Sequence, residues 1–231
     1  MALRAGILMA AILVLGGCKK EAPPVVQDAV PVMPAAPQGK LVRIVALGDS
    51  LLAGYGLRSE EAYPLRLQAA LRRRGVNAQV VNAGVSGDTT QDGLERLEFT
   101  LSGQNGAGGA PDLVMISLGG NDMLRGTPVA RTRANMDAIL KALAARHIKV
   151  VVLGMLAAPN MGPEYKRDFD AIFPDMAKKH GAILVPFFLK PVFDKPELQL
   201  PDHIHPTAKG VEAMVGATLD VVLGAVKAPA R

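Results

Sequence analysis

The chain has 231 residues, 49% of them hydrophobic and 20% charged, with a formal net charge of +5. This composition excludes a disordered chain and suits one domain with a substantial core plus some extra sequence; aromatics at 4% and the absence of tryptophan make that core aliphatic. The densest basic cluster, Arg72-Arg73-Arg74, reads as the solvated end of a helix, where cations are favourable, and without aromatic interleaving it excludes nucleic acid as an expected partner.

Met1 to Arg4 gives the chain a positive start, and Ala5 to Gly17 is an almost unbroken apolar run ending in Leu15-Gly16-Gly17-Cys18. About 20 apolar residues are needed to span a bilayer, so the run is short for a transmembrane helix and reads as a signal peptide over residues 1–17. Cys18 is the single cysteine, which excludes an intramolecular disulfide and any multi-cysteine metal site. Leu15-Gly16-Gly17-Cys18 resembles the bacterial lipobox. That resemblance implies a diacylglyceryl group on Cys18 and a membrane tether, and Lys19 in place of an aspartate points to the outer membrane. Residues 18–39 carry Pro23, Pro24, Pro31, Pro34 and Pro37; such composition favours extended chain and reads as a spacer. The folded domain is expected over residues 40–231.

From Lys40 onward, short apolar runs alternate with helical periodicity, the pattern of βαβ units. Val42 to Leu47 is the first strand, and it exits into Gly48-Asp49-Ser50-Leu51. Tyr63, Leu67, Ala70 and Leu71 share one helical face, with Gly75 placed to stop that helix. Gln79 to Asn82 is the second strand, delivering the loop Ala83 to Asp88. Thr89 caps a helix expected to carry Leu94, Leu97 and Leu101, and a glycine-rich stretch, Ser102 to Pro111, follows as a surface insertion.

Asp112 to Leu118 reads as a buried central strand opening into Gly119-Gly120-Asn121-Asp122. Thr127-Pro128 has the form of an N-cap followed by proline in the first turn, and Met136, Ile139, Leu140 and Leu143 form that helix's buried stripe. Ile148 to Leu153 is the fourth strand. Tyr165, Phe169, Ile172, Phe173 and Met176 mark one amphipathic helix that Pro174 threatens to kink. Ala182 to Phe187 is the fifth strand, and a proline-punctuated loop then runs to Asp202-His203-Ile204-His205. Thr207 caps a last helix bearing Val211, Met214, Val215, Leu219 and Val222. The expected architecture is α/β, a three-layer α/β/α sandwich on a five-stranded parallel sheet in the flavodoxin-like order 2-1-3-4-5.

Polar, glycine-rich loops follow the first three strands, and a parallel sheet brings those carboxyl ends to one edge. The loop before the last helix can return to the same edge with Asp202 and His205. Acyl transfer needs a nucleophile, a base, a group that orients the base, and donors for the developing oxyanion. Ser50, His205, Asp202, and the Ser50 and Gly87 backbone amides with the Asn121 side chain supply those roles. Histidine suits the base because its ordinary pKa of about 6.5 lies near working pH. His147 and His180 sit at helix ends before strands and read as surface or capping residues. Neither serine block has the closing glycine of a Gly-X-Ser-X-Gly elbow, and Gly54-Tyr55-Gly56 lacks the third glycine of a dinucleotide loop.

Gly48-Asp49-Ser50-Leu51, Ser86-Gly87-Asp88-Thr89, Gly119-Gly120-Asn121-Asp122, and Asp202 three residues before His205 resemble the ordered blocks of the SGNH, or GDSL, hydrolase family. The likeness is strongest to its bacterial thioesterase I / lysophospholipase L1 / arylesterase branch. It implies a serine ester hydrolase needing no metal or cofactor, with Ser50 as nucleophile, His205 as base, Asp202 as its orienter, and Ser50, Gly87 and Asn121 as the oxyanion hole. One departure is His203, where the family usually has glycine. Met123-Leu124 and Met155-Leu156 lie near the catalytic edge and either line an acyl pocket or belong to ordinary core. The expected partner is a small acyl or aryl ester, thioester or lysophospholipid. Two other readings stay open on sequence: an envelope polysaccharide deacetylase or acyltransferase, and a non-catalytic binding module on the same fold.

Overall fold

Strand β1 (Val42–Gly48) lies inside the sheet, between β2 (Ala78–Gly84) and β3 (Leu113–Ser117). With β4 (Lys149–Leu153) and β5 (Ile183–Val185) they form a parallel sheet in the order β2-β1-β3-β4-β5, as expected from the sequence. The computed structural model describes residues 32–102 and 110–228. The proposed signal peptide, Cys18, residues 18–31 of the spacer and residues 103–109 of the glycine-rich stretch lie outside the described residues.

Register decides where the loops emerge. Gly48 pairs with Gly84 on one side and Ser117 on the other, so β1, β2 and β3 end in a single row. The segments carrying Ser50, Gly87 and Asn121 all leave from that row. A Cβ on Gly84 would stand 2.3 Å from the Ala53 backbone nitrogen, so glycine lets the short helix after β1 sit directly on the sheet edge.

The helices are α1 (Ser50–Ala53), α2 (Tyr63–Arg73), α3 (Thr90–Glu95), α4 (Leu97–Leu101), α5 (Gly120–Leu124), α6 (Val129–Ala144), α7 (Pro163–Asp170), α8 (Ile172–His180) and α9 (Ala208–Lys227). Helices α2 and α9 pack together, joined by a buried Tyr63 Oη–Thr218 Oγ1 hydrogen bond of 2.6 Å, while α6 packs on α3 and α8. Covered in this way, β3 is buried along its whole length, which is why it reads as a continuous apolar run. The stripe Met136, Ile139, Leu140 and Leu143 is fully inside; each such side chain contributes roughly 1.5–3 kcal/mol by leaving water.

Several local expectations are corrected. The helix expected through Leu94, Leu97 and Leu101 breaks at Arg96 into α3 and α4. The helix expected from Tyr165 to Met176 breaks at Ala171, and Pro174 falls in the first turn of α8, where its missing N–H costs nothing. Pro128, not Thr127, is the cap residue of α6. Strand β5 stops at Val185, shorter than the expected Ala182–Phe187, because Pro186 follows and cannot donate to a ladder. Helices α1 and α5 stand where loops were expected. Thr89 and Thr207 cap α3 and α9 as expected, through Asp92 N–H and Gly210 N–H.

Of the basic cluster, Arg73 and Arg74 are exposed at the end of α2, but Arg72 is half-buried. Its guanidinium donates to the carbonyls of Ala78 and Pro34, and Asn77 Nδ2 donates to the Gly39 carbonyl. The residues just before β1 are thereby held along the domain.

Candidate active site

Ser50 is the first residue of α1, immediately beyond the buried end of β1. Its position is set by Asp49, whose backbone N–H donates to the Ser117 carbonyl (3.2 Å) and whose carboxylate caps the helix by accepting from Leu51 N–H (3.0 Å). Asp49 is 2% exposed. Burial pushes its carboxyl up to about 7, with the charges of Asp88 and Asp122 adding to the rise and the Leu51 N–H opposing it.

Ser50 Oγ lies 2.8 Å from His205 Nε2, and His205 Nδ1 lies 2.7 Å from Asp202 Oδ2. A neutral ring donating through Nδ1 to the carboxylate accepts the serine proton at Nε2. Asp202 Oδ1 accepts from the backbone N–H groups of Ile204 (2.9 Å) and His205 (3.0 Å). These donors, the His205 amide foremost, hold the Asp202 carboxyl down at about 2 against a smaller opposing effect of burial. The turn that makes this possible is closed by Leu200 N–H to the His205 carbonyl (2.7 Å) and His203 N–H to the Leu200 carbonyl (2.9 Å). His203 sits at φ +57°, in the left-handed region. A glycine, usual in the resembled family, fits that backbone without strain; here His203 occupies it and is among the residues that line the cleft.

Gly87 lies in a turn closed by Asp88 N–H to the Val85 carbonyl (3.1 Å), with φ +91°. Its carbonyl accepts from Arg125 Nη2 at 2.7 Å. Asn121 stands in the first turn of α5 and uses Nδ2 to donate to the Asp88 carbonyl at 2.9 Å. Beneath it, Asp122 is 1% exposed and accepts from Thr90 N–H (2.8 Å), Thr90 Oγ1 (2.6 Å) and Thr132 Oγ1 (3.2 Å), tying α5 to α3 and α6.

Ser50, Gly87, Asn121 and His205 line one cleft of about 640 Å³. The structure therefore brings together all the site residues expected in the domain, while Cys18 falls outside the described residues. Met123, Leu124, Met155 and Leu156 form part of the wall, and the edge-to-face pair Phe187–Phe193, 5.4 Å between centroids, forms another part. That aromatic pair was not anticipated from sequence, nor was Tyr55, whose ring lies over His205. The glycines flanking Tyr55 are a local signal for a tight exposed turn, but nothing in the sequence states what it faces. His147 and His180 are away from this cleft; His180 Nε2 pairs with Asp137 Oδ1 at 2.6 Å. Among the described residues no group of side chains is arranged to hold a metal ion.

A parallel α/β/α sandwich with serine, histidine and aspartate hydrogen-bonded in series at its carboxyl edge defines a hydrolase that works through a serine. The chain belongs to the GDSL-like lipase/acylhydrolase family, whose sequence model it matches over residues 46–213, and it is a serine ester hydrolase. It is 38% identical over 164 residues to an arylesterase of Vibrio mimicus, covering 71% of this chain and 80% of that protein. It is 36% identical over 163 residues to the thioesterase 1/protease 1/lysophospholipase L1 of Escherichia coli strain K12, covering 71% and 74%. The crystal structure of AlinE4, an SGNH-hydrolase family esterase, superposes with a TM-score of 0.69 at 50% identity, covering 83% of this chain and 100% of the other.

Proposed function

We propose that Ser50 is the nucleophile of this esterase, His205 its general base and acid, and Asp202 the group that orients the histidine. The observation that carries this reading is the unbroken series Ser50 Oγ, His205 Nε2, His205 Nδ1 and Asp202 Oδ2, with links of 2.8 and 2.7 Å. His205 Nε2 takes the Ser50 proton as Oγ bonds to the ester carbonyl carbon. The carbonyl oxygen becomes an oxyanion that accepts from the Ser50 and Gly87 backbone amides and Asn121 Nδ2. Collapse breaks the ester bond, and the leaving alcohol or phenol takes the proton from His205. Water then attacks the acyl-serine, again losing a proton to His205, and the second collapse returns that proton to Ser50 Oγ as the acid leaves. A donor of this kind is worth ~10²–10³ in turnover.

The substrate is a short-to-medium acyl or aryl ester, with thioesters and lysophospholipids in the same class. The apolar walls at Met123, Leu124, Met155 and Leu156 support this, as do the names arylesterase and thioesterase 1/lysophospholipase L1 borne by the relatives. Hydrolysis of an activated aryl ester by the full chain and by Ser50→Ala tests the nucleophile: turnover is expected to vanish in the variant, and equal rates would overturn the assignment.

Cys18 is the lipid attachment point, and residues 18–39 space the domain from the outer membrane on its periplasmic side. The apolar run before Leu15-Gly16-Gly17-Cys18 and the proline content after it support this reading. More than one acyl chain gives stable anchoring. Labelled palmitate is expected on the full chain and absent from Cys18→Ser; persistence of label in the variant would refute the tether.

A further inference from the structure

Arg96 stands at the break between α3 and α4, serving as the last cap of one and the first of the other. The apolar spacing through Leu94, Leu97 and Leu101 gives no reason for an interruption there, and the side chain supplies one. Arg96 Nε donates to Asp88 Oδ2 at 2.6 Å, Nη2 to the Gly48 carbonyl at 2.9 Å, and Nη1 to Thr100 Oγ1 at 3.4 Å. Gly48 is the end of β1, two residues before Ser50. Asp88 follows Gly87 directly, and its backbone carbonyl is the acceptor that orients Asn121 Nδ2. One planar fork therefore bonds the segments that carry the Ser50 and Gly87 donors, and it reaches the Asn121 donor through Asp88, whose backbone carbonyl Asn121 Nδ2 meets.

Asp88 is 8% exposed, and a carboxylate so placed needs a partner. Arg96 is that partner, so its geometry and that of the Gly87 turn are set together. A guanidinium can bond Asp88 and the Gly48 carbonyl at once through separate nitrogens in a fixed plane, whereas an ammonium is a point donor on a flexible stem.

We propose that Arg96 is a positioning residue for the oxyanion site: by bridging the end of β1 to Asp88 it holds the Ser50, Gly87 and Asn121 donors in register with one another. This rests on the reading of Gly87 and Asn121 given under the proposed function. Arg96 touches none of the reacting atoms. A misplacement of about 1 Å costs up to ~10² in rate, and losing a donor costs ~10²–10³.

The test uses the full chain with Arg96→Lys, Arg96→Gln and Asn121→Ala, with kcat counted per active site titrated at Ser50. An aryl boronic acid is the probe of the tetrahedral state. Arg96→Lys is expected to lower kcat about ten- to a hundredfold with KM within about twofold, and to weaken boronate binding by a similar factor. Arg96→Gln is expected to do the same or more; where it does not fold, Arg96→Lys decides. Normal kcat per titrated site with normal boronate affinity in the Arg96 variants, beside a loss in Asn121→Ala, overturns the role of Arg96 alone. A rise in KM with kcat and boronate affinity retained also overturns it. No loss in Asn121→Ala removes the oxyanion reading on which the proposal stands.

Discussion

The ring of Tyr55 lies 4.4 Å from that of His205, centroid to centroid, and is tilted by 34°. Tyr55 is held there by the turn after α1, in which the N–H groups of Gly54 and Tyr55 both donate to the Ser50 carbonyl (3.1 and 3.2 Å). The same backbone oxygen thus ties the serine to the aromatic ring that covers its histidine. Aromatic pairs are worth about 0.5–1.5 kcal/mol beyond their burial. Tyr55→Ala is expected to lower kcat roughly two- to tenfold as His205 gains freedom, while Tyr55→Phe keeps the stack and stays close to the parent. Steady-state hydrolysis of an aryl ester checks both; a loss of the same size in Tyr55→Phe would shift the role from the ring to the hydroxyl.

Asp49 sets a pH dependence of stability. Its carboxyl is raised from 3.8 to about 7 by burial, so the folded chain binds that proton more tightly than the unfolded chain does. The contribution is fully present below about pH 4 and is lost as pH rises through about 7, on the order of a few kcal/mol in all. Asp49→Asn keeps a cap oxygen for the Leu51 N–H and removes the titration. Denaturation midpoints at pH 5 and pH 8 are expected to fall less between the two values in Asp49→Asn than in the parent. An unchanged pH slope would show that Asp49 does not titrate in this range.

Legibility from sequence follows how local the cause is. Ser50, Gly87, Asn121 and the Asp202/His205 pair were readable because each lies in a polar segment that starts just past the end of a short apolar strand or just before a capped helix. The sheet order followed because few connections satisfy a sheet covered on both faces. Helices α1 and α5 have only four and five residues, too few to show an apolar period. The breaks at Arg96 and Ala171 were hidden because an apolar stripe keeps its spacing across a one-residue interruption. Tyr55 over His205 and Phe187 against Phe193 are tertiary contacts, and no residue pattern near either partner encodes the other.

Phe193 is 59% exposed yet lines the cleft, and Gln199 Nε2 fixes its segment by donating to the carbonyls of Val192 (3.0 Å) and Phe193 (3.2 Å). An exposed aromatic on a fixed segment has apolar area still to bury. A bound acyl chain covering it would gain about 1–2 kcal/mol at ~25 cal/mol per Å². Phe193→Ala is expected to raise KM about tenfold for octanoyl aryl esters and leave acetyl esters within twofold. Equal effects on both chain lengths, measured as kcat/KM across an acyl series, would place Phe193 outside the acyl path.

Asp122 carries the deepest polar commitment near the site. Its carboxylate satisfies the Thr90 N–H and hydroxyl and the Thr132 hydroxyl, and Asn135 Nδ2 donates in turn to Thr90 Oγ1 at 3.1 Å. Asp122→Ala leaves a buried backbone donor and two hydroxyls without their acceptor and opens a small void, for which about 3–5 kcal/mol of stability is the expected loss. Asp122→Asn keeps one acceptor oxygen but turns an NH₂ group toward a donor, so a loss of about 1–3 kcal/mol is expected. Because Asn121 is the adjacent residue on α5, turnover is expected to fall in Asp122→Asn even at temperatures where the chain is fully folded. Urea denaturation paired with kcat at 15 °C separates the two effects: normal turnover in folded Asp122→Asn would confine Asp122 to holding α5 against α3 and α6.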